Sequence, residues 1–551
     1  MNALKFFVNR KGCKMQKDIG SRVRDKILPY FIFPTVVGIV TGILIFVFKA
    51  TSSFVIHKSE SIYSFVRQNP IYLPLLILGV VAVGFVAGVF LKYAKECRGG
   101  GIPTAVATIR GILPLKWVQG LFGLFFSSML TYLAGVPLGN EGPSVQMGTA
   151  AGKGMSSAFG KKNRAWERYN MTGGAAAGFA IATGSPLSGI VFALEELHRR
   201  FSPPIFIVAS VSVISGKITS DALSSIFGID TTFLDFAINK VLPLRFLWVA
   251  VLIGIVCGLS ANLLTRFYRV VKRSADKSSG KLNYVTKITL IFTVVGLLGF
   301  ISADFVGSGH SLIERILHGH AVWYMILIAF LIRAFVMLVA NNDGVSGGMF
   351  VPTLALGAMI ASLISDGLIA LELISKDYYA ILIVIGIAAF LSASSRIPLT
   401  ALTFAAEALC VVTNMLPAAV GVVVAYLVVE MLGVPSFADT VIEFKEHKAH
   451  EGRTPIVVDS HMHVEKGAFA IGMEIRDILW PTTCTVLSVE KHHASHGHIG
   501  AIGEGDVLHL HYRTYDPEET LHLLTDILGD QPEDHTARVH TADENHVVPA
   551  D

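Results

Sequence analysis

The sequence predicts an all-α polytopic membrane protein, a repeat-built bundle of tilted and broken helices followed by a small α/β domain. Three observations predict it. The 551 residues are 52% hydrophobic and only 16% charged, whereas a soluble chain carries about 25% charged residues. Apolar stretches recur from about Tyr30 to Leu432 but are interrupted by Gly and Pro, as in discontinuous membrane helices around a polar site. Landmark residues of the first half return in order in the second.

Residues 1–28 read as a polar, amphipathic lead. Lys5, Arg10, Lys11, Lys14, Lys17, Arg22, Arg24 and Lys26 outweigh Asp18 and Asp25 there, which by the positive-inside rule keeps this end in the cytoplasm. No apolar core and cleavage site of a signal peptide is visible. Residues 29–440 form the membrane body. Phe31–Phe48, Leu73–Leu91 and Phe246–Leu264 are long enough to span a bilayer, while Ile288–Ile301 and Ala418–Val429 are short. The five Cys are scattered without a CxxC pair, which excludes a thiolate metal site or a disulfide framework. No P-loop, nucleophile elbow or HExxH motif is present, so enzymatic catalysis is not expected, and neither is a cofactor.

The body repeats itself. Gly174-Ala-Ala-Ala-Gly-Phe leads to Pro186 and Glu195, and Gly386-Ile-Ala-Ala-Phe-Leu leads to Pro398 and Glu407 at the same offset. Upstream, Pro143 precedes Gly148 as Pro352 precedes Gly357. The halves fall at about 29–230 and 240–440. Repeats in a membrane body mark transporters, with the site where the halves meet.

Three Gly-rich turns precede apolar helices: Gly99-Gly100-Gly101-Ile102-Pro103, Gly139-Asn140-Glu141-Gly142-Pro143 and Gly347-Gly348-Met349-Phe350-Val351-Pro352. Proline suits a first helical turn, where its missing N–H costs nothing. The N–H groups that open a helix are unsatisfied and partly positive. Three such ends aimed at one point would bind an anion without a fixed Lys or Arg, weakly enough to release it. The carboxylate of Glu141 can stand in for that anion, and a charge in the bilayer is a functional candidate by default. Ordinary glycine packing between helices and a Glu capping a helix at the interface are the bland alternatives.

These turns, their order and the repeat resemble the CLC family of chloride channels and proton-coupled chloride antiporters, over roughly residues 30–440. The resemblance implies two inverted halves and a homodimer with one pathway per subunit. It implies that Glu141 is the external gating glutamate, whose protonation frees the pathway for chloride. Glu196 falls where the family's antiporters carry the internal proton-transfer glutamate; on charge alone, Glu195-Glu196 before His198-Arg199-Arg200 reads as a solvated helix end. Backbone N–H groups at Gly100, Gly101, Ile102, Gly142, Met349 and Phe350 would face the anion. The expected partners are chloride, protons, lipid and a second copy, with no nucleic acid; the expected site is a bacterial inner or plasma membrane, both termini cytoplasmic. A passive glutamate-gated anion channel is the alternative.

The chain departs from the family pattern at two positions. Gly100 replaces the usual Ser of the first turn, and Phe437 replaces the Tyr whose hydroxyl meets the central anion. A lost hydrogen bond to a charged group costs about 1.5–3 kcal/mol, so weak central chloride binding and looser coupling are expected. Gly100 and Pro143 also depart from the fluoride-exporting branch, which is disfavoured.

Residues 450–530 read as a small cytoplasmic α/β module, with strands over Val457–Val464, Ala468–Met473, Thr485–Lys491 and Asp506–Tyr512 and a helix over Pro517–Leu528. Gly503-Glu504-Gly505-Asp506-Val507-Leu508 resembles the C-terminal subdomain of potassium-conductance regulators (TrkA-C or RCK_C), which implies a regulatory or dimerising module with an unidentified ligand. Fourteen of the 19 His lie from His447 onward, a solvated-surface pattern rather than a metal site. Residues 531–551 are acidic and read as disordered.

Overall fold

The structure is a computed structural model that describes residues 23–99, 101–229, 233–234, 240–277, 283–319, 322–492, 500–529 and 538–541. Gly100, most of the basic N-terminal lead, and His493, His496 and His498 lie outside the described residues. A π-helical entry, Val23–Ile32, runs into the first half: α1 (Phe33–Gln68), α2 (Leu73–Tyr93), α3 (Ile102–Ile109), α4 (Leu124–Leu133), α5 (Glu141–Ala158), α6 (Glu167–Thr183), α7 (Pro186–Phe192) and α8 (Pro203–Phe227). The second half follows with α9 (Leu247–Lys277), α10 (Tyr284–Ile301), α11 (His310–Leu317), α12 (Trp323–Asn342), α13 (Phe350–Ala370), α14 (Tyr379–Ser395), α15 (Pro398–Glu407), α16 (Met415–Met431) and α17 (Phe437–Ala449).

Nine helices among the described residues are long and apolar enough to cross a membrane. The two stretches read as short from sequence belong to longer helices, α10 and α16. Their first turns continue through residues such as Lys287 and Pro417 that interrupt the apolar run but not the helix. In α14 the apolar window is 83% buried, against 28% in α2. The first is the centre of the bundle and the second faces its surroundings.

The two halves are built alike and packed against each other. In the first, α5 crosses α6 where a Cβ on Gly148 or on Gly174 would lie 2.1 Å from the other's carbonyl oxygen. In the second, α13 crosses α14 at Gly357 and Gly386, with matching distances of 2.6 and 2.8 Å. Only glycine allows backbones so close. The halves then exchange caps. Glu195 accepts from the N–H groups of Leu399 (3.0 Å) and Thr400 (2.7 Å) at the start of α15. Glu407 accepts from those of Leu187 (2.9 Å) and Ser188 (2.8 Å) at the start of α7. Each carboxylate satisfies orphan donors of the other half's helix, where the dipole favours negative charge.

The C-terminal residues form an antiparallel sheet of β1 (Ile456–His463), β2 (Cys484–Glu490), β3 (Val507–Thr514) and β4 (Arg538–Thr541) in the order β2-β3-β1-β4, with α18 (Pro517–Leu528). The strand expected over Ala468–Met473 is instead a set of turns. Gly467 and Gly472 both have φ of 80°, and the Ala470 N–H bonds Ile527 O rather than a strand partner (3.1 Å). The expectation of disorder from 531 fails at Arg538–Thr541, which pairs with Ile456–Asp459 of β1; an unfilled strand edge recruits even a polar segment.

This module docks on one face of the body. Tyr169 Oη donates to Asp477 O (2.6 Å), Arg168 donates to Leu479 O and Trp480 O (2.7 and 2.8 Å), and Phe469 packs edge-on against Trp166. Tyr30, just ahead of α1, packs on Trp166 too, so the tail and the start of α1 share a face. The end of α1 marks the far face.

Candidate functional site

The three glycine turns meet. A Cβ on Gly142 would lie 3.2 Å from Gly101 Cα and 2.6 Å from Gly348 Cα. Gly139 and Gly348 exchange two N–H to O bonds of 2.7 Å, joining the second turn to the third across the halves. The helix starts at Ile102, Glu141 and Phe350 therefore converge. The first intrahelical bonds run from Ala105 to Gly101 O, Ser144 to Asn140 O and Thr353 to Met349 O. The N–H groups ahead of them, of Ile102, Glu141, Gly142, Phe350 and Val351, open the three helices as orphan donors. Pro103, Pro143 and Pro352 lie in those first turns without removing a needed bond.

Glu141 stands in the middle of this arrangement. It is 1% exposed, and among the described residues neither carboxylate oxygen has a hydrogen-bond partner. Its Oε2 folds back over Gly139, 2.5 Å from where a Cβ there would be; any side chain at 139 would expel it. Tyr132 Oη donates to Gly139 O (3.0 Å) from the side. A buried carboxylate without a hydrogen bond, among helix N-termini, is poised to be displaced by an anion or neutralised by a proton.

Not every expected donor is free. The Gly101 N–H is committed to Gln146 Oε1 at 2.7 Å, so the first turn presents Ile102 rather than Gly101. Phe437 opens α17 with its buried ring edge-on to Tyr268, centroids 4.9 Å apart. A cation does lie beside the first turn. Further along α17, Lys445 Nζ donates to Arg98 O (3.3 Å), Gly99 O (3.2 Å) and Thr104 Oγ1 (2.5 Å). An ammonium thus braces the first turn. It lines a cavity of about 680 Å³ on the tail face with Arg98, Tyr268, Lys272 and Tyr284. Burial, then the neighbouring Lys272, pushes the Lys445 ammonium down to about 8.

Glu196 is inside, against the solvated reading. It lies in a π-turn, Ala193–Leu197, which lets Glu195 face α15 while Glu196 points inward, 3% exposed. Its Oε2 has no hydrogen-bond partner among the described residues. Arg110 holds the turn through Glu196 O (2.8 Å) and Leu197 O (3.0 Å), and pairs with Asp439 (3.6 Å), which Arg199 also binds. The turn ends beneath the docked tail, where Thr482 Oγ1 donates to Arg110 O.

Lys445, Gln146 and His310 escaped the sequence. Gly307-Ser308-Gly309-His310 opens α11 as a fourth Gly-rich turn, which was the available signal for His310. Lys445 and Gln146 carry none, since both act through chain folding.

The family described as voltage-gated chloride channel matches residues 79–430. Among solved structures, a slow cyanobacterial chloride/proton antiporter superposes with a TM-score of 0.69 at 23% identity, over 76% of this chain and 98% of that one. A eukaryotic CLC transporter gives 0.61 at 17% identity, over 76% and 74%. A CLC-type fluoride/proton antiporter gives 0.61 at 18% identity, over 75% and 98%. With the family match covering well over half of the residues, this chain belongs to the CLC family of voltage-gated chloride channels.

Proposed function

We propose that the protein is a chloride/proton antiporter gated by Glu141. The observation that carries this is the buried Glu141 carboxylate, without a hydrogen bond among the described residues, at the meeting point of three helix N-termini. A chloride ion and this carboxylate compete for the same partial positive charge. Protonation removes the competitor, so each proton taken up by Glu141 clears the way for anion movement. The donors to the anion are the N–H groups of Ile102, Gly142, Met349 and Phe350. Glu196, buried beside Arg110 and Arg199, passes protons on the tail face, which favours antiport over a passive channel.

The protein works as a homodimer with one pathway per subunit. Residues 29–440 form the transport body, and residues 450–530 form a TrkA-C-like module that reads an unidentified ligand in the cytoplasm. On this reading both termini lie on the cytoplasmic side of a bacterial inner or plasma membrane. No enzymatic step and no cofactor take part.

Reconstituted vesicles test the reading. Under a chloride gradient the protein pumps protons uphill, and Glu141→Gln abolishes proton movement while chloride flux continues. Chloride flux without uphill pumping in the unaltered protein makes it a channel. Pumping that survives Glu141→Gln removes the role of Glu141.

A further inference from the structure

The proton supply to Glu141 from the far face is not explained by the turns themselves. His310 lies there. It opens α11 after Gly309, whose φ of 120° aims the helix start back into the body. Its Nε2 is 3.7 Å from Glu141 Oε1, and its Nδ1 is 3.0 Å from Ser308 Oγ. The imidazole is 26% exposed and the carboxylate 1%. One ring therefore touches both the outside and the buried gate. Phe233 packs edge-on against the ring at 4.9 Å and is backed by Phe404, so one flank of the ring is apolar.

The turn that delivers His310 is fastened. The buried Arg333 guanidinium on α12 donates to Asp304 O (3.1 Å), Val306 O (2.8 Å) and Gly307 O (2.7 Å). Arg315 pairs with Asp304 alongside. The charged and titratable groups around the pair are Lys49 on α1, which acts electrostatically on both His310 and Glu141, and Tyr132 on α4, which faces Glu141.

We propose that His310 relays protons between water on the far face and Glu141, a role that rests on the antiport reading. The ring takes a proton from water at Nδ1, along the Ser308 hydroxyl, and becomes imidazolium. It gives its Nε2 proton to Oε1, so the carboxylate becomes a neutral acid and the ring is neutral again. Only N–H and O–H bonds change, and the sum is one proton moved from water to Glu141. The 3.7 Å gap is longer than a hydrogen bond and closes by a small turn of the carboxylate or through one water, as resting-state geometries commonly require. The ring carries one nitrogen that accepts and one that donates, so it can pass a proton without leaving its place.

The test uses the full-length protein in vesicles, with uphill proton pumping and chloride flux recorded against the pH on the far face. In His310→Gln, which keeps a polar partner for Ser308, pumping and the chloride flux coupled to it slow together by about 10²-fold, and the pH profile of pumping changes. In His310→Ala, free imidazole on the far face restores pumping, which a structural role alone would not give. Pumping at the unaltered rate and pH profile in His310→Gln overturns the proposal, as does loss in His310→Ala that imidazole leaves unrestored. Absence of pumping in the unaltered protein overturns the antiport reading instead, so the two failures are separate.

Discussion

The two halves of the body carry the same scaffold and different chemistry. Gly139 and Gly348 bond each other as equivalents. The Gly148–Gly174 crossing is matched by Gly357–Gly386, and the Glu195 cap by the Glu407 cap. The positions that break the match are the functional candidates. Counting from the paired glycines, Glu141 corresponds to Phe350; counting from the paired caps, Glu196 corresponds to Ala408. Phe350 points its ring into an aromatic cluster with Phe179 and Phe404. A second carboxylate there would face the first across the Gly139–Gly348 pair, and like charges in a dry site are costly. Duplication thus supplies the packing, and its breaking supplies a single charge.

The largest expected effect tests the shared scaffold. Gly148→Val and Gly357→Val each push side-chain atoms into a facing backbone, and backbone cannot rotate away as a side chain can. We expect each to cost about 3 kcal/mol or more, the upper end for overpacking, with little monodisperse protein recovered on size exclusion. Full recovery of Gly357→Val alone would show that the second crossing is not equivalent to the first.

The exchanged caps come next. Glu195→Gln and Glu407→Gln keep the shape and remove the charge. Each should lower stability by about 1–2 kcal/mol, the range for a charged cap on a helix start. Thermal unfolding in detergent should show similar shifts for the two. A shift confined to Glu195→Gln, whose carboxylate also accepts from Thr400 Oγ1 (2.7 Å), would assign the difference to that extra bond.

Much of this scaffold is legible in the sequence because it is local and repeated. Glycine pairs, first-turn prolines and helix-end glutamates recur at fixed offsets, and each has a narrow set of physical uses. What is not legible depends on the chain returning from far away. Gln146 takes the Gly101 N–H from an adjoining helix, Lys445 reaches the first turn from the end of α17, and His310 reaches Glu141 from the other half. Glu196 is an intermediate case. Its charge and neighbours read as a solvated end, and only the π-turn, which no residue pattern announces, turns it inward.

Lys445 sharpens the comparison because it braces the first-half turn. Its positive charge favours an anion near that turn. Lys445→Gln should weaken chloride binding about threefold to tenfold, near 1 kcal/mol, as expected for one charge at a partly solvated distance. The sign with pH follows from the lowered value near 8. The ammonium is present below it and lost above it, so chloride affinity should fall more steeply between pH 7 and 9 in the unaltered protein than in Lys445→Gln. Isothermal titration at the two pH values reads this directly. Restoring the hydroxyls in Gly100→Ser with Phe437→Tyr should strengthen binding; no gain would mean that the ammonium already does their work.

The smallest expected effect concerns the tail, and it follows from inversion. The module docks on first-half residues, Arg110, Arg168, Tyr169, Arg200 and Ser202. An inverted repeat carries the counterpart of each residue toward the opposite face, and counting from the paired caps Tyr169 corresponds to Ile381. One tail can therefore read only one half, the half whose π-turn holds Glu196. Tyr169→Phe removes a hydroxyl that donates to Asp477 O and accepts from Leu479 N, while leaving the ring contacts with Trp166 and Phe469. The loss should be about 0.5–1.5 kcal/mol of docking, seen as faster hydrogen exchange across residues 475–482 with the exchange of α5 and α13 unchanged. If exchange quickens at the π-turn around Glu196 as well, the docked loop and that turn move as one unit, and the tail reaches the body through the first half alone.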